Sequence, residues 1–151
     1  MAKFIVEFPD SIYEKFAKMG ANSDKIIEKM LKVGGQAAFK ITKPNLQNSI
    51  GKGKYSRPTG QLANSLGISP VKVDSNGISN IKVGFNEPRR PNKTISKNVT
   101  YYLSNALVAN VLEYGKRGQP ARPWMRPSKK ALQATVKPLM EQEFYKEIDK
   151  I

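Results

Sequence analysis

The 151-residue sequence contains no cysteine and no histidine. The first absence excludes disulfides and thiolate zinc sites, and the second removes the commonest metal ligand and the usual general base. No apolar run approaches the roughly eighteen residues of a membrane-spanning helix, and the apolar run Phe4–Val6 is too short for a secretory signal. We therefore expect no metal, no cofactor, no membrane contact and a cytoplasm-like compartment.

Acidic residues are scarce in the middle of the chain, where the positive charge is concentrated. Of the net charge of +14, residues 45–137 contribute +13, from sixteen basic residues and only three acids, Asp74, Glu87 and Glu113. Acids so widely spaced provide no paired carboxylates for acid–base catalysis, and no serine has a histidine partner. The composition argues against an enzyme. It indicates an anionic partner, such as nucleic acid or an acidic protein, or else only a lysine-rich surface.

The hydrophobic pattern predicts a single α+β domain over residues 1–151. A small antiparallel sheet of about three to four strands, including a β-hairpin, would pack against a long helix in the N-terminal half and a C-terminal helix. Gly34 and Gly35 inside the long helix predict a close backbone contact or a bend. Within about 3–43 the predicted segments are a strand at Phe4–Phe8, a short helix that stops near Gly20 and a longer helix that Pro44 ends. A hairpin over 68–85 that turns at Asn76-Gly77, a possible strand at 99–103 and a helix over 104–114 follow. The chain then continues with a proline strut over 119–127 and a helix over 128–151 that Ser128 caps and Pro138 bends or restarts.

Two polar, basic stretches, 44–58 and 86–98, are predicted to be long flexible loops. Long loops without secondary structure are commonly functional or disordered. These two could form an enzyme lid, or arms that become ordered against a neighbouring subunit. Together with the segment before the strut they supply the candidate contacts to DNA or an acidic partner: Lys52, Lys54, Arg57, Arg89, Arg90, Lys116 and Arg117.

The strut contains three prolines and the only tryptophan, Trp124, between Arg122 and Arg126. Proline fixes its own φ and pushes the preceding residue into an extended conformation. The segment should therefore be stiff and non-helical, and should hold Trp124 and the two arginines in fixed directions. Tryptophan and arginine dominate protein interfaces, so one interpretation is a binding element. The other is a connection between helices in which Trp124 closes the core.

Three stretches together resemble a family of tailed-bacteriophage morphogenesis proteins. Arg57–Leu66, Ala109–Gly115 and Ala121–Ser128 are similar to its signatures Thr-Gly-x-Leu-x-x-Ser, Val-Glu-Phe-Gly and Arg-Pro-Phe-Leu-Arg-Pro-Ala. The family is variously labelled head–tail connector, neck, minor capsid or tail-component protein, and the resemblance covers roughly residues 23–140. This chain departs from the family at Lys116, where threonine is usual, and at Trp124, where phenylalanine is usual.

The resemblance implies a non-enzymatic structural protein of the virion that assembles in the host cytoplasm. Several copies would form a homo-oligomeric ring at the junction between head and tail, contacting other connector and tail proteins, with genomic DNA passing through its bore. The alternative function is a sequence-independent nucleic-acid-binding module, although no helix-turn-helix, RNA-recognition, KH or zinc signature is present.

The motifs supply the candidate interface residues. An equally simple interpretation makes them turns that define the fold, with Thr59 capping a short helix and Glu113–Gly115 ending another. The candidate subunit or partner contacts are Thr59, Gly60, Glu113, Gly115, Arg122, Pro123, Trp124, Met125 and Arg126.

Overall fold

The computed structural model describes residues 5–53, 58–87, 89, 93–96 and 99–150, with 93–96 and 99–102 described by their backbone alone. The chain is α+β, as predicted. Its helices are α1 Asp10–Met19, α2 Ser23–Ser49, α3 Gln61–Ser65, α4 Asn105–Tyr114 and α5 Met125–Ile148, with a 3-10 turn at Gly20–Asn22. Its strands are β1 Leu66–Ile68, β2 Lys72–Val73, β3 Ser79–Asn80, β4 Val83–Phe85, β5 Lys93–Ser96 and β6 Val99–Tyr102.

Helices α2 and α5 form an antiparallel pair that is the framework of the fold. Asn45 donates a hydrogen bond of 2.9 Å to Ser128 at one end, and Lys29 pairs with Glu147 at the other. These two contacts lie roughly 24 Å apart along α2, because an α-helix rises about 1.5 Å per residue. At Gly34 an added Cβ would lie 2.8 Å from the sulfur of Met140. Glycine therefore permits the close helix contact predicted at this position.

Two hydrophobic clusters divide the interior between the two ends of this helix pair. The first is formed by α1, the first half of α2 and α5 from Leu132 onward. The second is formed by the end of α2, α3, β1, α4 and Trp124, and it lies beneath the family motifs. The buried members of the first are Ile12, Ile26, Met30, Leu132, Val136, Met140 and Phe144, and those of the second are Leu46, Leu62, Leu66, Ala109, Leu112 and Trp124.

The predicted hairpin is present and runs from Leu66 to Phe85. The described strands pair in three antiparallel two-stranded ladders, β1 with β4, β2 with β3, and β5 with β6. Leu66 pairs with Phe85, and the turn is closed by Asp74, whose Oδ1 accepts from the backbone N–H groups of Asn76 and Ile78. The Asn-Gly signal thus located the turn correctly.

Pro44 does not end the long helix, and this prediction was wrong. Helix α2 continues to Ser49, so the first six residues of the predicted loop 44–58 are helical. Proline removes one helical hydrogen bond, but the turn that follows is held by tertiary contacts. Leu46 is fully buried in the second cluster, and Ser49 Oγ lies 3.3 Å from the carbonyl oxygen of Pro123. Packing at the end of the helix outweighs the local effect of the proline.

The predicted N-terminal strand is absent over its described part. Residues 5–9 have no regular secondary structure, and Phe4 lies outside the described residues. Val6 and Phe8 pack on the first cluster instead, so their alternation reflects burial against helices. The predicted loop 86–98 also needs correction because it contains β5, which pairs with β6.

The last helix begins at Met125 and not at Ser128. The predicted non-helical strut therefore ends at Trp124, and Met125–Pro127 form the first turn of α5. The helix runs to Ile148 without restarting at Pro138. Local proline content was a poor guide here because another part of the chain supplies the cap.

Candidate functional site

The carboxylate of Glu113 caps the N-terminus of α5 from the end of α4. Its Oε2 accepts from the backbone N–H groups of Trp124 and Met125, both at 2.8 Å, and its Oε1 accepts from Arg126 at 3.2 Å. A helix N-terminus leaves its first four N–H groups without helical partners. The fourth position here is Pro127, which has no N–H. One buried side chain therefore satisfies the whole N-terminus of α5, and its charge is stabilised by the helix dipole.

Trp124 lies inside the subunit, with 5% of its surface exposed. Its Nε1 donates to the backbone oxygen of Ala109 at 3.0 Å, and its ring meets Phe85 edge-on at 5.7 Å between centroids. This geometry agrees with the interpretation in which Trp124 closes the core. Its ring is not a stacking surface on the outside of the chain.

Gly115 makes the tight connection between α4 and the strut possible. Its φ is +76°, and a Cβ here would lie 2.7 Å from the backbone nitrogen of Ala121 and 2.8 Å from the carbonyl oxygen of Gln119. The turn that follows closes through two backbone hydrogen bonds of 2.9 Å between Lys116 and Gln119. Glu113 and Gly115 thus hold the strut against the helix that precedes it.

Three residues that sequence analysis did not select complete this assembly. Asn45 and Ser49 on α2 reach Ser128 and the carbonyl oxygen of Pro123, as described above. Asn105 is buried at the start of α4, where its side chain donates to the Asn86 oxygen at 2.8 Å and accepts from Arg89 Nη1 at 2.9 Å. These are common polar residues in ordinary helical surroundings, so no sequence signal distinguishes them.

A groove of about 750 Å³ opens between α3, α4 and the strut. Its walls include the apolar side chains of Ile50, Leu62, Val108 and Leu112, which belong to the second cluster, and that of Val111. Leu103 and Leu107 extend this apolar surface outward, with exposed fractions of 37% and 47%. The charged residues that line it are Arg89, Lys116 and Arg122. The groove is therefore an apolar concavity with cationic side chains.

Several predicted site residues converge on this groove. Thr59 and Gly60 line it, but Thr59 does not cap α3, whose N-cap is Gly60 with φ +81°. Gly115, Pro123 and Met125 do not line it: Gly115 precedes the strut, Pro123 lies in the strut and Met125 begins α5. Of the basic candidates, Arg89 and Lys116 line the groove. Lys52 and Arg117 are exposed and are adjacent in sequence to residues that line it. Lys54, Arg57 and Arg90 lie outside the described residues.

All three acids of the basic region bind backbone N–H groups. Glu113 caps α5, Asp74 closes the hairpin turn, and Glu87 accepts from Ala106 at 2.9 Å at the start of α4. The hydrogen bond from Ala106 is the main cause that lowers the pKa of Glu87. In the described part of residues 45–137 no carboxylate forms an ion pair with a lysine or arginine. The described ion pairs join Lys29 and Lys150 to Glu147, Lys32 to Glu28, and Lys146 to Glu143.

Among the described residues there is no group of three or more acidic side chains that could hold a metal ion. No helix in the same part of the chain is long and apolar enough to cross a membrane.

A family model described as Bacteriophage HK97-gp10, putative tail-component, matches residues 10–115, well over half of the chain. The chain belongs to this family. The match to the HK97-gp10-like family includes two of the three motifs, with Glu113 and Gly115 in the second, and it ends before the strut. Membership indicates a structural role in phage morphogenesis, a place in the virion, and contacts with other virion proteins. No curated protein and no solved structure was found that matches the chain.

Proposed function

We propose that this protein is a structural subunit of the neck of a tailed phage. Several copies assemble into a ring at the head–tail junction, and the ring joins the DNA-filled head to the tail. The family match supports a role in the virion. The apolar groove supports assembly as the means, and the protein acts by binding other subunits and not by catalysis.

The observation that carries the proposal is the apolar surface at the groove. Leu103, Leu107 and Tyr114 are exposed by 37%, 47% and 71%. Leu103 and Leu107 line the groove, and Tyr114, seven residues after Leu107, lies outside its lining on the same face of α4. A continuous exposed apolar patch with a polar rim is typical of a protein-binding site.

A neighbouring copy is the partner that this surface binds. Ring contacts are heterologous, so the groove of one subunit meets a different patch on the next. Thr59, Gly60 and Arg122 lie on the groove and are positioned to touch the neighbour. Glu113 and Trp124 act inside the subunit and hold the groove in shape.

Contact with the genome is the second part of the proposal. The acids of residues 45–137 bind backbone groups, and no described ion pair involves a lysine or arginine of this region, which carries a net charge of +13. A polyanion that passes through the ring would supply the missing negative charge. This observation also supports the alternative function, a sequence-independent nucleic-acid-binding module.

Assembly can be tested with Leu107→Glu, measured by light scattering after size exclusion and by imaging of the purified protein. A carboxylate in the groove should prevent ring formation and leave the melting temperature nearly unchanged, because Leu107 is half exposed. Val73→Glu is the matched control, since Val73 is 66% exposed on the hairpin and does not line the groove. Rings that form equally well from both variants would contradict a role for the groove.

The role in the virion has its own test. Phage that lack this protein should accumulate DNA-filled heads and separate tails. Normal infectious particles formed without it would refute the proposed function, whatever the purified protein does.

A further inference from the structure

The first half of α5 carries positive charge and no negative charge. Between Met125 and Met140 the sequence contains four cations and no acid, whereas three acids follow between Glu141 and Ile148. Charge is therefore segregated along one helix. The cations are Arg126, Lys129, Lys130 and Lys137.

Three of these cations lie on one side of the helix. With 3.6 residues per turn, Arg126, Lys130 and Lys137 fall within about 40° of one another around the helix axis. Arg126, Lys129 and Lys130 are exposed, and Lys137 is half-buried. Lys129 lies beside this row. The row extends roughly 16 Å along the helix, from a rise of about 1.5 Å per residue.

The helix dipole does not favour these charges. The N-terminus of a helix carries partial positive charge whose effect fades beyond the first turn, so Arg126 is repelled and the three lysines gain nothing from the dipole. No described carboxylate forms an ion pair with any of the four. Stability within the chain therefore gives no reason for placing them here, whereas an external anion does.

The composition of this face favours phosphate over a protein partner. Within the described chain, no large hydrophobic side chain of residues 125–140 is exposed. Protein interfaces have an apolar centre that is poor in lysine. The groove has an apolar centre, whereas this face of α5 has none. Lysine and arginine without apolar neighbours are the residues that neutralise nucleic-acid phosphates.

We propose that the cationic face of α5, formed by Arg126, Lys129, Lys130 and Lys137, binds the phosphate backbone of double-stranded DNA without reading its sequence. A duplex carries about one charge per 1.7 Å, so a stretch of roughly 16 Å presents on the order of ten phosphate charges to four cations. The inference rests on the genome contact proposed above and does not depend on ring assembly.

The test is a binding titration of the full chain against a fluorescent duplex of about 30 base pairs, at a series of salt concentrations. The face is removed by the triple variant Arg126→Gln, Lys130→Gln, Lys137→Gln. The matched control makes the same change in net charge at three exposed lysines of α1 and α2 that have no described ion pair. Its substitutions are Lys18→Gln, Lys25→Gln and Lys40→Gln.

The triple variant should bind at least tenfold more weakly at equal salt. Its slope of log affinity against log salt should be shallower by about 3, since each phosphate contact contributes about 0.9. The control should keep the wild-type slope, and duplexes of different sequence should bind alike. Equal weakening of both variants would show that only net charge matters and would overturn the proposal.

Failure of DNA binding is distinguishable from failure of ring assembly, because light scattering is measured on the same samples. An intact ring that binds no duplex overturns the proposal and leaves assembly standing. If, in addition, the triple variant loses binding to an acidic virion protein, the face contacts protein and not DNA. A single variant, Lys130→Gln, should make the slope shallower by about 1, and no change in its slope would count equally against the proposal.

Discussion

Replacing Glu113 with alanine should release the start of α5 from the end of α4. The carboxylate accepts three backbone hydrogen bonds, at 2.8, 2.8 and 3.2 Å. A hydrogen bond to a charged acceptor contributes about 1.5–3 kcal/mol. The longest of the three contributes least, because the amide of exposed Arg126 can regain water. Counting the other two gives a loss of about 3–6 kcal/mol in the free energy of unfolding.

That loss should be visible without abolishing the fold. Domains of this size are typically stable by about 5–15 kcal/mol, and each kcal/mol corresponds to about 2–4 °C in melting temperature. Glu113→Ala should therefore melt roughly 8–16 °C below the wild type for a loss of about 4 kcal/mol. Glu113→Gln keeps the shape and one acceptor oxygen but loses the charge, so it should cost about half as much in the free energy of unfolding.

The assay is urea unfolding followed by far-ultraviolet circular dichroism and by tryptophan fluorescence. Trp124 is the only tryptophan and its backbone N–H donates to Glu113, so its fluorescence emission reports on the capped turn directly. Glu14→Ala is the control, because Glu14 is exposed on α1 and the substitution removes the same charge. A Glu113→Ala midpoint equal to that of Glu14→Ala would refute the assignment of the cap as a stabilising element.

Substitutions at three further positions, with Gly118 as a control, test the same assembly and the opposite end of the helix pair. Gly115→Ala should cost about 3 kcal/mol in urea unfolding, because it adds a backbone collision to the roughly 1–3 kcal/mol for a side chain at positive φ. Gly118 has φ +77° and no atom within 4 Å of an added Cβ, so Gly118→Ala should cost only the conformational part. Equal losses of stability in Gly115→Ala and Gly118→Ala would contradict the backbone collision at Gly115. Trp124→Ala should lower the free energy of unfolding by about 3–5 kcal/mol. Trp124→Phe should lower it clearly less, since phenylalanine loses mainly the indole hydrogen bond. Equal losses of stability in the two variants, measured by calorimetry, would contradict that ordering. Hydrogen bonds, chiefly from Lys150, lower the pKa of Glu147 from 4.5 to about 2, so the stabilisation from Glu147 is complete above pH about 4.5 and disappears as the pH falls towards 2. The urea midpoint of Glu147→Gln should therefore fall less than that of the wild type between those pH values. Identical pH profiles for the two proteins would refute the contribution of Glu147.

Local signals predicted the elements whose causes are local. The Asn76-Gly77 turn and the helix ending at Gly115 depend on backbone conformations that a few adjacent residues determine. Pro44 is different, because the turn after it is stabilised by burial of Leu46 against elements far away in sequence. The start of α5 was misplaced by three residues for the same reason, since its cap is supplied by Glu113 on another helix.

The candidate site was predictable in its members but not in their arrangement. The motifs identified Glu113, Gly115 and Trp124, while the choice between interface and core depended on which way Trp124 faces. That direction is set by Phe85 and the backbone of α4, which the sequence does not connect to it. The apolar exposure of Leu107 was missed because a helical pattern does not show which apolar positions lack a neighbour.

The motifs and the surfaces proposed to act on partners are formed by different residues. Glu113, Gly115 and Trp124 are engaged inside the subunit, so substitutions there should change stability first and assembly only as a consequence. Leu107 and Arg126 are exposed and make few internal contacts, so their variants should change assembly or DNA binding at a constant melting temperature. We therefore expect the two classes to separate when melting temperature is plotted against assembly. A variant of Leu107 that lost both together would show that the groove is part of the core and not a surface for partners.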